Sequence, residues 1–217
     1  MQRQLPCELV LASGSPRRRE LLTQAGYSFR VSVADIDESL RAGEAPADYV
    51  ARLAREKALA VLAQEAASRR DLLVLGADTT VVAPQGEILG KPLDEQDAAR
   101  MLRLLSGATH TVMTGVALVQ HGAVGQEVAA PQQAVAQPVV TVAIEQTRVT
   151  MRVWTEAEIA AYVASGEPRD KAGAYAIQGY AASAIPRIEG CYFNVVGLPL
   201  ARVAQMIDQS PRYQSPR

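Results

Sequence analysis

The chain has 217 residues, 48% of them hydrophobic and 21% charged, the make-up of a globular protein large enough to bury a core. A formal net charge of -1 and a pI near 6.2 exclude the overall basic field by which non-specific nucleic-acid binders gather phosphates, so any phosphate binding must be local. Cys7 and Cys191 stand far apart and outside any C-x-x-C pair, which excludes a zinc knuckle, and the short polar start with no run of 18 apolar residues leads us to expect a cytoplasmic protein without a membrane span.

In chain order, the apolar run Glu8–Ala12 predicts a strand that breaks at Ser13-Gly14-Ser15 before Pro16 opens a helix. Ser15 suits the N-cap and Pro16 the first helical position, where a missing N–H costs nothing, and Gly26 stops the helix after about Ala25. Ala47 to Ala67 predict a long amphipathic helix with Tyr49, Val50, Leu53, Leu59 and Leu62 on one stripe. Leu72–Leu75 leads through Gly76-Ala77-Asp78 into the β-branched run Thr79–Val82, a buried strand interrupted by a carboxylate. The turn Pro84-Gln85-Gly86 returns Glu87–Leu89 as its hairpin partner. Asp94 is placed to cap a helix through Leu105 closed by Gly107, and Thr111–Gln120 follows as a strand. Residues 121–146, poor in charges and aromatics, read as an extended hairpin loop with a mobile tip, and Thr147–Trp154 as a strand. Thr155-Glu156-Ala157-Glu158 matches a capping box for a helix ending at Gly166, a last helix follows Pro199, and 209–217 reads as a flexible tail. Alternating strands and helices with two hairpins predict an α/β fold around a mixed sheet, in a single domain over 1–217 with its core in 8–208.

Two places combine chemistry with an awkward location. Ser13-Gly14-Ser15-Pro16-Arg17-Arg18-Arg19 sets backbone N–H groups at a helix N-terminus, an anion site before any side chain contributes. Three arginines there oppose the helix dipole, so either they serve a bound anion or they are solvated and paired with acids such as Glu20. Asp78 lies within Leu-Val-Leu-Gly-Ala-Asp-Thr-Thr-Val-Val, where a carboxylate must be paired, hydrogen-bonded or on a metal; the plainer reading ties it to a turn. Gly86–Lys91 superficially resembles a phosphate-binding P-loop. It fails, with only three residues between the glycines and Pro92 where Ser or Thr should hold magnesium. Alone, Lys91 is a turn lysine, Lys57 a solvated helix residue, and Asp35, Asp37 and Glu38 an acidic loop in water. His110 and His121 sit apart with no zinc-hydrolase or nucleophile-elbow pattern.

Together, Ala12-Ser13-Gly14-Ser15-Pro16-Arg17-Arg18, Glu56-Lys57-Ala58, Gly76-Ala77-Asp78-Thr79, Gly90-Lys91-Pro92, Thr114-Gly115-Val116 and the run Lys171–Gly179 follow the order seen in the Maf family, which the chain resembles over residues 8 to 208. The resemblance implies a nucleoside triphosphate pyrophosphatase with an α/β fold like that of the inosine triphosphate pyrophosphatases: a mixed twisted sheet flanked by helices, with a cleft between two lobes. Ala174-Tyr175-Ala176-Ile177-Gln178-Gly179 and Asn194–Pro199 resemble the dTTP/UTP branch. By the same resemblance Asp78 is the catalytic carboxylate, Arg17, Thr79 and Gln178 bear on substrate choice, and Ser13, Arg18, Glu38, Lys57 and Lys91 belong to the phosphate and metal environment. Asp78 and Glu38 would hold a divalent cation, Mg²⁺ or Mn²⁺. The implied partner is a nucleoside triphosphate, with no nucleic acid and no membrane, and a homodimer is left open. The connection at 121–146 departs from the family in being longer.

A nucleoside triphosphate carries roughly four negative charges, which fixed cations and a divalent ion would neutralise as water attacks the α-phosphorus and pyrophosphate departs. The amide of Gln178 can donate to O4 and accept from N3–H of uracil or thymine, whereas cytosine presents the reverse pattern. Two alternatives stand beside this reading: the same chemistry on other or modified nucleotides, and a nucleotide-binding regulator of cell division and septum formation.

Overall fold

Hydrophobic alternation and its interruptions lay down a layered sheet, seen in a computed structural model that describes residues 3–65, 71–120 and 137–210. Strand β1 (Glu8–Ala12) is followed by α1 (Pro16–Gln24), with Ser15 at the N-cap in extended conformation but making no side-chain cap bond. Next come β2 (Phe29–Val31), the long α2 (Pro46–Glu65), β3 (Leu72–Val82) and β4 (Ile88–Leu89). Then follow α3 (Glu95–Leu105), β5 (Thr109–Gln120), β6 (Val139–Thr150) and α4 (Glu156–Ala164). Short 3-10 turns between Glu167 and Ala184 lead to β7 (Arg187–Glu189), α5 (Tyr192–Val196) and α6 (Leu200–Asp208). The other two predicted caps form: Asp94 accepts from the Asp97 N–H at 2.7 Å, and Thr155 and Glu158 close a reciprocal capping box.

Among the described residues, seven strands form one sheet in the order β2-β1-β3-β5-β6-β7, with β4 paired to β3 beside that path. β1 runs parallel to β2 and β3, and the other pairings are antiparallel, so the α/β fold with a mixed sheet flanked by helices is observed. Period-two alternation sends Leu73, Leu75 and Ala77 of β3 to the face covered by α1 and α6, and Leu72 and Val74 to the face covered by α2. Beyond Asp78 the same strand enters a third core, where Val81 and Val112 pack with α3, α4 and Trp154. β3 and β5 therefore run through both lobes.

The loop expected over 121–146 is corrected in its second part. Val139 to Gln146 pair rung by rung with Gln120 to Met113, so β6 starts at Val139 and ends at Thr150. Its first residues alternate only between exposed and half-buried, so no apolar period marks them, and the backbone ladder to β5 supplies the order that the pattern lacks. Residues 121–136 lie outside the described residues, as do 211–217 of the expected tail. Gln209 and Ser210 instead close α6, with Ser210 buried. No helix among the described residues is long and apolar enough to cross a membrane.

Candidate active site

The site arises where one strand stops and its neighbour continues. β1 ends at Ala12 opposite Gly76, while β3 runs on to Val82, so the loop Ser13-Gly14-Ser15 lies beside Ala77, Asp78 and Thr79. Alternation turns Asp78 toward α2 and Thr79 to the opposite face. On the α2 side the helix backbone rests directly on the sheet. A Cβ on Gly76 would stand 2.1 Å from the Ala54 carbonyl oxygen, and one on Gly115 2.2 Å from that of Val50. Only glycine allows that approach, and it brings Lys57 within reach of Asp78.

Lys57 Nζ donates to Asp78 Oδ1 at 2.6 Å and lies 2.9 Å from Glu38 Oε1. The Asp78 side chain is 11% exposed and that of Glu38 53%, so one carboxylate forms the floor and the other enters from an open loop. That loop is fastened to α2. Tyr49 donates its hydroxyl to the Glu38 carbonyl at 3.0 Å, and Arg52 donates to the Ser39 carbonyl and to both oxygens of Glu44. The Arg52 hydrogen bond holds the Glu44 carboxyl down at about 2.

On the other face, Arg18 reaches back from α1 into the wall of the site. Its Nε donates to the Gly197 carbonyl at 2.8 Å, Nη1 to Ser13 Oγ at 3.0 Å and the Ala77 carbonyl at 2.8 Å, and Nη2 to Thr79 Oγ1 at 3.0 Å. Thr79 shares a 2.9 Å hydroxyl bond with Thr114. Burial pushes the Arg18 guanidinium pKa below its ordinary value, with nearby Asp78 opposing that shift. Four of its five N–H groups are thus engaged, and one is left without a protein acceptor among the described residues. Arg17 pairs with Asp170 at 3.2 Å, and Lys171 holds the same carboxylate at 2.6 Å. Of the three arginines at the head of α1, one knits the loop to the sheet, one spans to the far side and Arg19 stays exposed.

These groups line one cleft of about 540 Å³, well inside the range for small-molecule sites. Ser13, Arg17, Arg18 and Thr79 come from the β1 side, Lys57, Asp78 and Glu38 from the α2 side, and Lys91 and Gln178 from the third core's rim. The nine residues that the family resemblance assigns to the site therefore meet, although they are spread over 166 positions from Ser13 to Gln178, whereas Arg19, Asp35 and Asp37 do not line the cleft. Tyr49, Asp170, Lys171 and Tyr175 line it too and were not singled out. Lys171 and Tyr175 stand inside the run Lys171–Gly179, which is the available signal, while Tyr49 falls on the apolar stripe of its helix and carries no such mark in the sequence. His110 is buried on β5, with Nε2 2.7 Å from the Tyr175 hydroxyl. His121 lies outside the described residues.

Chemically, the cleft offers five cations, Arg17, Arg18, Lys57, Lys91 and Lys171, against the carboxylates Glu38, Asp78 and Asp170. It is a positive recess on a chain of net charge -1. Asp78 and Glu38 converge within 3 Å of one ammonium, the oxygen-donor arrangement a hard divalent cation prefers. Among the described residues no three or more acidic, histidine or cysteine side chains cluster as a complete metal cage, so such an ion would draw its other ligands from water and phosphate.

The model of the family described as "Maf-like protein" matches residues 8–210. A Salmonella typhimurium protein named dTTP/UTP pyrophosphatase is 52% identical over 199 residues, covering 92% of this chain and 91% of its own. Proteins of the same name from Hahella chejuensis and Pelotomaculum thermopropionicum are each 50% identical, over 93% and 92% of this chain and 91% and 95% of theirs. A solved nucleoside-triphosphatase / dITP/XTP pyrophosphatase from Mycobacterium abscessus aligns with 65% of this chain and 72% of its own at 16% identity and a TM-score of 0.31, too slight a likeness to carry weight. With the family match running from β1 to the end of α6 and half its residues shared with these relatives, the chain belongs to the family of Maf-like proteins.

Proposed function

We propose that this chain hydrolyses dTTP and UTP to the nucleoside monophosphate and pyrophosphate, with Mg²⁺ or Mn²⁺ as cofactor. The observation that carries the reading is Lys57 bridging Asp78 and Glu38 on the floor of a cationic cleft whose rim holds Gln178. The names of relatives that share half of its residues support the same substrates.

Asp78 and Glu38 would hold a divalent cation, which when bound would supply charge neutralisation along the phosphate chain. Lys57, Lys91 and Arg17 take up the remaining phosphate charge, and Arg18 adds its one free N–H while keeping Ser13 and Thr79 in place. Asp78 orients the water and accepts its proton. The water oxygen bonds to the α-phosphorus, the bond from the α-phosphorus to the α,β-bridging oxygen breaks, and its electron pair leaves on that oxygen as part of pyrophosphate. Arg17 must exchange Asp170 for phosphate, which an exposed pair gives up at little cost. Gln178 meets the pyrimidine edge as the sequence suggests.

The test is a panel of canonical and modified triphosphates, assayed with Mg²⁺, Mn²⁺ or chelator and read by product identity. dTTP and UTP should lead, monophosphate and pyrophosphate should appear in equal amounts, and chelator should abolish turnover. Orthophosphate with a nucleoside diphosphate would refute attack at the α-phosphorus, and a preference for a purine or modified base would move the substrate.

A further inference from the structure

Gln178 sits at the tip of a turn. The Gly179 N–H donates to the Ala176 carbonyl at 3.1 Å, which makes Ala176–Gly179 a four-residue turn with Ile177 and Gln178 at its corners, both on the cleft. Among the described residues no group hydrogen-bonds the Gln178 amide, so the side chain's aim depends on the backbone from which it springs.

That backbone is gripped at both shoulders by one pair of side chains. The Ala176 N–H donates to the Tyr162 hydroxyl at 3.2 Å, and the Tyr180 N–H donates to Glu167 Oε2 at 3.2 Å. Tyr162 in turn donates to the other oxygen of Glu167 at 2.8 Å, which closes the ring of contacts. Tyr162 is almost wholly buried on α4, its ring edge-on to Trp154 at 5.3 Å, so the grip is anchored in the third core. Burial first, and the hydrogen bond to Glu167 second, raise the phenol's pKa, keeping it a donor at any ordinary pH. Independently, a Cβ on Gly179 would stand 1.9 Å from Glu167 Oε1, although its φ of -103° suits any residue. Glycine is needed here for room: the carboxylate passes directly under the turn.

We infer that Tyr162 and Glu167 are positioning residues that set base discrimination, by clamping the Ala176–Gly179 turn so that Gln178 meets the base at a fixed distance and angle. The inference rests on the reading of Gln178 given under Proposed function. Neither residue lines the cleft, so neither touches substrate. Misplacement of a recognition group by about 1 Å can cost up to about a hundred-fold.

Tyr162→Phe removes one hydroxyl and keeps the ring. Glu167→Gln keeps the shape but replaces one of two acceptor oxygens with a donor, and Gly179→Ala pushes the carboxylate aside without altering its chemistry. Each should lower the ratio of kcat/KM for dTTP over CTP at least about ten-fold, mainly through KM for dTTP. Inhibition by inorganic tripolyphosphate, which reads the phosphate side alone, should stay within about two-fold, and the effects of Tyr162→Phe and Glu167→Gln should fall short of additive because both act through one turn. Unchanged discrimination in folded variants overturns the inference, and so does a parallel loss of tripolyphosphate affinity. If the wild-type protein turns over no pyrimidine triphosphate, the proposed function and the base-reading role fail together. Amide hydrogen exchange over 176–180 then still judges the clamp, with at least about ten-fold faster exchange in Tyr162→Phe expected and unchanged exchange its refutation.

Discussion

Arg18 donates to the carbonyl of Ala77, the residue before Asp78, yet the fold uses the charges of Arg18 and Asp78 in opposite ways. Asp78 shares Lys57 with Glu38, so Asp78→Asn leaves the ammonium one carboxylate partner and the fold should survive. Asparagine is a poor base and a weak ligand for a hard cation, so kcat with Mg²⁺ should fall at least about 100-fold. Near-normal turnover in a stable Asp78→Asn protein would remove it from the chemistry. Arg18 is bound to four oxygens in three separate segments, and the planar fork is what fits them. Arg18→Lys keeps the charge but not the fork, and should lower stability by about 2 to 4 kcal/mol in urea unfolding. A loss of turnover with unchanged stability would show that Arg18 matters to the phosphates alone. The sequence raised the right question here, since three arginines at a helix head looked out of place. It could not show that the second is buried while the first and third are not, because burial depends on Gly197, brought alongside from 179 residues away.

Among the elements, α2 and β3 form the pair on which the site's geometry depends, and their contact is set by absent side chains. Gly76→Ala would drive a methyl into the α2 backbone, which cannot rotate away as a side chain does. We expect about 3 kcal/mol or more of destabilisation, and in molecules that fold, a longer Lys57–Asp78 distance and lower kcat. Ordinary stability and turnover in that variant would mean that the helix shifts freely. A second element contact has a pH signature. Burial pushes the His110 pKa from 6.5 down to about 4, so the unfolded chain takes up a proton that the folded one refuses. Stability should be complete above pH 6.5 and fall by about 3 kcal/mol as pH drops to about 4. Glu44 and Glu158, held at about 2 by hydrogen bonds from Arg52 and Arg152, lose their contribution only at lower pH, between 4.5 and 2. Urea titrations of wild type and His110→Gln from pH 7 to 4.5 isolate the histidine, and equal slopes would refute the assignment.

At this scale the sequence was legible wherever local chemistry decided. The strand, loop and helix of 8–24, the hairpin of 79–89 and the two caps at Asp94 and Thr155 follow from short-range rules and stand as expected. The five-residue α5 is too short to show a period, and the 3-10 turns of 167–184 are held by Tyr162, Glu167 and Gly90 rather than by their own sequence.

For the whole molecule, the register of the sheet separates the site from the long connection. Asp78 faces Gly115, whereas Gln120 faces Val139, five rungs or about 17 Å further along β5. Because Gln120 and Val139 are directly opposed, residues 121–138 can be replaced by a two-residue Asn-Gly turn that closes the hairpin. The shortened protein should keep kcat/KM for its best substrate within about two-fold, since closure entropy changes slowly with loop length. Lost activity in a shortened protein that still folds would mean that the removed segment reaches the cleft.

The continuity of β3 and β5 through both lobes has a meaning for inheritance. In many enzymes with a cleft, the two sides are separate modules that recombination can shuffle. Here each side borrows its centre from the same two strands, and the rung Asp78↔Gly115 is where one core hands over to the other. A chimera that takes the base-reading half from a distant relative and keeps this phosphate half must splice within β3 and again within β5, at matching rungs, because a crossover in any loop divides a core instead. New substrate preferences in such a molecule are reached more readily by point changes on the rim than by exchange of parts.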